Sequence, residues 1–477
     1  MFTAARIRLL VVTCAALFMA MLDNLVLGVA LPSIQQSFNA SISDLQWFMN
    51  AYTLAFAVLL IPFSMLGDRI GRKRMFLLGV AVFTLGSALS GLSDTSVELI
   101  LSRALQGIGG AAIVPLSLTL VNAAFPEKMR AAAFGIWSGI SGLGLSIGPL
   151  VGGLIVEGAP WQLIFWINVP VGLLAIGLGS AWLPESHGER KPVGPVGIAM
   201  IITGLFLVIF GLQNGNSEGW DSAIVMSSLS SGAVLLLLFY FAERRRALPL
   251  VRFGLFRNGR YAAFIFSGFW MNAGIFGAIF LLTLFLQQAQ GYTALEAGVR
   301  TMAWTGCTMI AAPLAGLAVG RFGGRAVLSL GLLLQGLALV GFGILILQAG
   351  VDFPFGYQAP LMMLAGAGMG LSFTPLAHGV MTSVPEASSG EASGVSNATR
   401  ELGGVFGIAI TGLIFEAGGP IASPADFGDH IVSALLAGAG MIALGLASVL
   451  LFTRAAAKRE NAADAAETPV LAPRDPG

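Results

Sequence analysis

Residues 134–156 read Phe134-Gly135-Ile136-Trp137-Ser138-Gly139-Ile140-Ser141-Gly142-Leu143-Gly144-Leu145-Ser146-Ile147-Gly148-Pro149-Leu150-Val151-Gly152-Gly153-Leu154-Ile155-Val156. The stretch is apolar and of the length that crosses a bilayer, on the order of 20 residues. It is also crowded with residues that a plain membrane helix does not need. Gly144, Gly148 and Gly152 recur at every fourth position and share one helix face, with Gly135 ahead of them and Gly153 just behind. A face without side chains lets a neighbouring helix approach backbone to backbone. Pro149 removes a backbone N–H and bends a helix. Two readings follow: a Gly-rich packing helix, or a hinge or seal between moving parts.

The rest of the chain is of the same kind. Its 477 residues are 56% hydrophobic and 10% charged, with a mean hydropathy of +0.85, which excludes a soluble globular protein. Apolar windows long enough to span fall at 9–31, 45–66, 75–93, 97–123, 131–156, 163–183, 195–213, 222–242, 261–287, 297–319, 326–349, 358–383, 393–416 and 431–453. The first run starts after Arg6 and Arg8 but continues past Asp23 to Pro32, so it reads as an uncleaved span rather than a signal peptide. Of the 25 Lys and Arg, Arg103, Arg300 and Arg400 lie within spans and all the others fall on one side. The opposite loops instead carry Asp44, Asp94, Glu157, Glu218, Asp221, Asp352, Asp426 and Asp429. The positive-inside rule then puts both termini in the cytoplasm and the chain in the cytoplasmic (inner) membrane. The tail from Arg454, rich in Ala, Pro and charge, is expected to be disordered.

Composition also narrows the partners. A net charge of +1 gives no reason to expect nucleic acid, and His187, His378 and His430 form no metal spacing. Cys14 and Cys307 sit in apolar runs that suggest no disulfide. No GxxxxGK[ST] phosphate loop is present, which argues against a pump with its own ATPase. No cofactor and no catalytic group is expected. The lipid bilayer is the partner that this composition implies.

Charges inside the spans need a reason, because a carboxylate near mid-bilayer costs about 2.5–3.5 kcal/mol on insertion scales. Asp23 lies roughly 14 residues into the first span, about 21 Å deep at the rise of a helix. Arg103 enters from the other side, roughly six residues into the fourth span and about 9 Å deep, so in a core of about 30 Å the two share a level. Either they form a static buried pair, or Asp23 carries a proton and a movable Arg103 tunes its titration. Adjacent Arg400 and Glu401 point to different faces of the thirteenth span, one toward a cavity and the other toward a neighbouring helix. Arg300 lies one turn from Glu296 and is explained by that pair. Trp137, Asn272, Phe276, Phe280 and Phe373 are candidate cavity residues, with lipid-facing placement the alternative for each ring.

The short turn Leu66-Gly67-Asp68-Arg69-Ile70-Gly71-Arg72-Lys73-Arg74 gathers one carboxylate and four cations, and can clamp two helix ends. A weaker copy, Gly316 to Arg325, recurs between the tenth and eleventh spans with Gly320 in place of the Asp. Two related loops imply two related halves.

These features resemble the major facilitator superfamily, and in particular its fourteen-span drug:proton antiporters. Gly135, Gly144, Gly148, Pro149, Gly152 and Gly153 resemble the antiporter motif of the fifth helix. The 66–74 turn resembles the superfamily's loop signature, in which Asp68 would pair with an Arg and a helix end, making Asp68, Arg69, Gly71 and Arg72 a gating loop. Leu22 to Pro32, with Asp23 and Asn24, resembles the first-span motif; Leu99 to Ala111, with Arg103, Gln106, Gly107 and Gly109, resembles the fourth-span motif, and Trp47 and Tyr52 also fit. Leu25 stands where a Thr is usual and Gly28 where an Asn is usual, which is expected to strip polar groups from around Asp23. Trp161-Gln162-Leu163 replaces a usual Trp-Arg-Trp.

The resemblance implies an all-α major facilitator fold with two six-helix halves plus two extra central helices: 1–183, 184–260 with the linker, 261–453, and the tail 454–477. It implies multidrug efflux by alternating access, coupled to protons through Asp23 and Arg103, with Asn24 and Gln106 among the cavity residues; the partners it implies are a small-molecule substrate, protons and the lipid bilayer, with a monomer as the simplest state. Export of one metabolite or antibiotic, or translocation of lipid, are the alternatives.

Overall fold

A computed structural model of the chain describes residues 3–188, 194–246, 249, 251–384 and 389–467; the side chains of some helical residues, Asn24 and Gly135 among them, lie outside the description. The described residues form helices and no strand: α1 (Ala4–Phe38), α2 (Ile42–Ile70), α3 (Arg72–Gly91), α4 (Ser96–Ala124), α5 (Glu127–Gly158), α6 (Leu163–Trp166), α7 (Asn168–Trp182), α8 (Pro195–Glu218), α9 (Ala223–Arg244), α10 (Gly259–Leu284), α11 (Ala294–Phe322), α12 (Gly324–Ala349), α13 (Phe355–Thr382), α14 (Ser389–Glu416) and α15 (Pro424–Glu467). Among the described residues 14 segments are long and apolar enough to cross a membrane, with α6 and α7 sharing one. Where the sequence suggested a disordered tail from 454, helix continues to Glu467, because this segment is built from the strong helix formers Ala, Glu, Lys and Arg.

Local chemistry fixes where the helices begin and end. At the end away from the termini, Ser41 with Asp44, Thr95 with Glu98, and Thr293 with Glu296 close capping boxes on α2, α4 and α11. Each carboxylate also sits at the positive end of a helix dipole. At the terminus-bearing end, Gly71 (φ +127°) and Gly323 (φ +82°) end α2 and α11 with matching N–H bonds to the carbonyls of Gly67 and Val319. The two loops alike in sequence therefore make the same backbone turn.

Packing follows the order of the chain. α1 packs on α4, α5 and α7, α3 on α4 and α7, and α2 on α4; separately, α10 packs on α14 and α15, α11 on α13, and α12 on α13 and α15. α5 meets α11 and α2 meets α14, joining the two groups. α8 lies against α2, α14 and α9.

The α5–α11 contact is uneven along its length. Toward the end away from the termini, Gly153 lies against the backbone of Ala294 and Leu295, and Gly298 against the carbonyl of Pro149. Where the contact ends, Ser146 Oγ donates to the Thr305 carbonyl (3.4 Å) and Thr305 Oγ1 to the Ser146 carbonyl (3.2 Å). Beyond it, Gly139 and Gly142 of α5 and Gly306 and Gly320 of α11 have open space beside them. α10 helps to close the far end through a π-turn, Phe285–Ala289: Gln287 Nε2 donates to the Val29 carbonyl (3.0 Å) and Gln288 Nε2 to Gln35 Oε1 (2.6 Å). α5 and α11 therefore fit closely toward the end away from the termini, while toward the other end their glycines have open space beside them and Gly394 of α14 still meets Ile61 of α2.

Candidate functional site

Asp23 sits in the middle of α1, wholly buried, and meets Arg103 of α4, which is also buried. Arg103 NH1 donates to Asp23 Oδ2 at 2.5 Å and to Gln106 Oε1 at 2.8 Å, while its Nε donates to the Phe48 carbonyl at 3.1 Å. The guanidinium lies 4.5 Å from the ring centre of Tyr52 and 5.8 Å from that of Phe165, within cation–π range. The other carboxylate oxygen, Oδ1, accepts from Gln106 Nε2 (3.1 Å) and Asn168 Nδ2 (3.0 Å). Gln106 Nε2 also reaches Ser87 Oγ (2.7 Å), and Ser90 Oγ donates to Gln106 Oε1 (3.2 Å) and to Ser102 Oγ (2.9 Å). One ion pair is thereby embedded in a network from α1, α2, α3, α4 and α7. In a low-dielectric interior such a network holds charge because each member satisfies the next.

One expectation needs revision, and four residues of the network are new. Leu25 and Gly28 do remove polar groups from α1, yet Asp23 is not left in apolar surroundings, because α4 and α7 supply its donors and Ser87 of α3 accepts from two of them. Asn168, Ser87, Ser90 and Ser102 were not singled out in the sequence. Asn168 stands in an otherwise apolar run, Leu163 to Leu174, and that isolation was its one visible signal.

The glycine face of α5 lies directly behind this network. A Cβ on Gly144 would approach the Phe18 carbonyl at 3.1 Å, one on Gly148 the Leu22 carbonyl at 3.2 Å, and one on Gly152 the Val26 carbonyl at 2.7 Å. These three glycines therefore seat α5 on the α1 backbone that flanks Asp23. Gly153 and Pro149 face α11 instead, so the motif is shared between two partners. The helix continues through Pro149. Of the motif residues, Gly135 lies outside the described side chains, as does the site candidate Asn24.

The other candidates fall in two places. Asn272 Nδ2 donates to the Arg400 carbonyl (2.9 Å), Arg400 lies 5.0 Å from the Phe373 ring centre, and its NH2 is 3.9 Å from Glu401 Oε1. Phe276 packs beside Gly404, so α10, α13 and α14 bring these five residues together. Trp137 is apart from them, donating Nε1 to Ser117 Oγ of α4 at 3.0 Å. A small enclosed chamber of about 20 Å³ between the halves, too small for a drug as it stands, is lined by Leu25, Gly28, Met49, Pro149, Phe280 and Trp304, among others. Arg300 pairs with Glu296 at 3.8 Å and covers the Tyr292 ring at 3.6 Å, in keeping with a local role.

In the loop after α2, Arg72 Nε pairs with Asp68 Oδ1 at 2.7 Å, and Arg69 is exposed. The loop is tied to the segment after α7: Arg72 N donates to the Ser186 carbonyl (2.9 Å), Gly188 N to the Asp68 carbonyl (3.0 Å), and Lys73 N to Glu185 Oε1 (3.0 Å). The clamp therefore joins the α2–α3 turn to the α7 exit.

Comparison with known proteins agrees with this architecture. The family profile of the Major Facilitator Superfamily matches residues 13–408. Multidrug resistance protein Stp of Mycobacterium tuberculosis is 36% identical over 86% of this chain and 75% of its own. The tetracenomycin C resistance and export protein of Streptomyces glaucescens is 32% identical over 86% of this chain and 76% of its own. Drug efflux pump JefA of M. tuberculosis is 33% identical over 88% and 82%. Among solved structures, the POT family transporter PepTSo superposes with a TM-score of 0.72 at 14% identity, covering 95% of this chain and 99% of its own. The xylose transporter XylE from E. coli gives 0.61 at 14% identity, over 95% and 98%. With the profile covering most of the sequence and the fold matching end to end, the chain belongs to the Major Facilitator Superfamily.

Proposed function

We propose that the protein exports lipophilic or amphipathic drugs across the cytoplasmic membrane in exchange for protons, by alternating access between two six-helix halves, 1–183 and 261–453. The observation that carries this is the sealed Asp23–Arg103–Gln106–Asn168 network set against the glycine face of α5. Asp23 is the proton carrier, Arg103 the charge that competes for it, and α5 the element that links its surroundings to the other half through α11. A carboxylate with no path to water can exchange a proton only when α1 and its neighbours move, and that requirement couples protonation to opening. The 184–260 segment adds α8 and α9 outside the two halves. The one-sided Lys and Arg support a cytoplasmic position for both termini, so that substrate enters from that side. The names of the relatives support drugs and antibiotics as the substrate class. Some are named for a single antibiotic, which favours a narrow range as the second reading.

The test is efflux of a compound panel from proteoliposomes with an imposed proton gradient, with and without a protonophore. Several unrelated lipophilic compounds should move, and the protonophore should abolish their movement. Export that ignores the protonophore would sink the coupling, and movement of one compound alone would select the narrow reading.

A further inference from the structure

The seam where α8 meets α2 and α14 changes character along its length. In its middle it is apolar, built from Leu54 and Val58 of α2, Leu205 and Ile209 of α8, and Val405 and Ala409 of α14. Away from the termini the same faces continue at helical spacing as Asn50 and Gln46, as Gln213, and as Glu416. Asn50 and Gln213 are fully buried and have no hydrogen-bond partner on either amide atom. Gln46, equally buried, gives Nε2 to Glu416 Oε1 at 3.5 Å and leaves its own Oε1 without a partner. An apolar seam would hold the helices together at less cost, so these amides need another reason to be there.

Beside them a pocket opens, lined by Asp44, Trp47, Phe206, Phe210, Asn214 and Glu416 together with neighbouring residues. Trp47 lies 5.5 Å from Phe206 and 6.5 Å from Phe210, and the two phenyl rings are stacked at 6.0 Å. Leu101, exposed on the outer surface of α4, forms part of the rim, so the pocket faces the lipid. Its electrostatics are one-sided. No loop at this end carries a Lys or Arg. Asp44 spends its carboxylate on the Ser41 N–H and hydroxyl, both at 2.9 Å, as a helix cap. Among the described residues Glu416 has one long bond, from Gln46 to Oε1, while Asp44 is fixed by its cap bonds on Oδ2, so Glu416 is the carboxylate with more capacity left for a ligand.

We infer that this pocket is a second binding site, separate from the chamber between the halves, for a lipophilic organic cation: the Trp47, Phe206 and Phe210 rings take its apolar body and Glu416 takes its charge. Aromatic faces and a carboxylate in a dry setting are the combination that recognises such ions, since both interactions strengthen as water is excluded. The site gives α8 a use that the two halves do not need for alternating access.

The experiment is equilibrium binding of tetraphenylphosphonium to the purified full chain in nanodiscs, without a proton gradient, so that failure of coupling leaves the readout untouched. Glu416→Gln keeps the acceptor for Gln46 and deletes the charge. It should weaken one saturable component about tenfold, while Glu416→Asp stays within about threefold of wild type. Neutral triphenylphosphine oxide should not displace the cation. A Glu416→Gln isotherm that superimposes on wild type overturns the site, and so does equal displacement by the neutral compound, which marks an acyl-chain pocket. If Glu416→Gln does not fold, Trp47→Leu probes the opposite wall and should weaken the same component; unchanged affinity there overturns the site equally.

Discussion

Asp23 accepts hydrogen bonds from three side chains on two other helices, Arg103 and Gln106 of α4 and Asn168 of α7. Removing one charge of so buried a pair strands the other. Asp23→Asn should therefore cost about 3–5 kcal/mol and abolish substrate-driven proton movement. The double change Asp23→Asn/Arg103→Gln should regain much of the melting temperature and none of the coupling. Measuring both on one preparation is decisive, because a double variant that still moves protons would remove Asp23 from the mechanism. Arg103→Gln alone separates a working pair from a static one: the pH profile of exchange should move, whereas a static pair would lose melting temperature with its profile unchanged. Asn168→Leu, similar in bulk but without donors, should destabilise by about 1–3 kcal/mol through the unmet carboxylate oxygen and the lost Ser87 contact. The Asp23–Arg103 meeting was legible because charges are rare in these spans and depth can be counted from either end. Asn168 and the serines were not, since small polar side chains are common in membrane helices and their facing depends on helix rotation that the sequence does not state.

The glycines of α5 differ in what lies opposite them, and that difference makes graded predictions. Gly152→Ala places a methyl group against the Val26 carbonyl and should destabilise by about 1–3 kcal/mol while slowing transport. Gly139→Ala meets open space and should melt like wild type. Equal effects at the two positions would show that α5 does not rest on α1 as described. Four-residue spacing made the bare face readable in advance, but not its partner. The turn of Gly153 toward α11 depends on where the two halves meet. The loop after α2 shows the same limit: its charges announced a clamp, yet what it grips, the α7 exit at 185–188, lies more than 100 residues away in the chain, beyond any local pattern.

Across the whole molecule, the closed end depends on the close fit of α5 to α11. Gly298→Val would force a branched side chain onto the Pro149 carbonyl, so it should hold that end open. The check is Thr301→Cys, a residue lining the enclosed chamber, in a background with Cys14 and Cys307 replaced by Ser. A membrane-impermeant thiol reagent applied from the end away from the termini should label it several-fold faster when Gly298→Val is added. Labelling at an unchanged rate would mean that the seal lies elsewhere. The number of spans and the kinship of the two loops were readable from hydropathy and repetition. Which helices meet across the halves, α5 with α11 and α2 with α14, was not, because that pairing joins segments far apart in the chain and leaves no local pattern.

The α1–α5 contact has one further consequence. Where side chains interlock, neighbouring helices slip by whole turns, about 5.4 Å at a time, since each knob must leave one hole before entering the next. At Gly144, Gly148 and Gly152 there are no knobs on α5 to disengage. There the spacing of the two helices is set by the α5 backbone itself, with Met21, Leu25 and Val26 of α1 lying against it, so no rotamer change on α5 can loosen the seat beside Asp23.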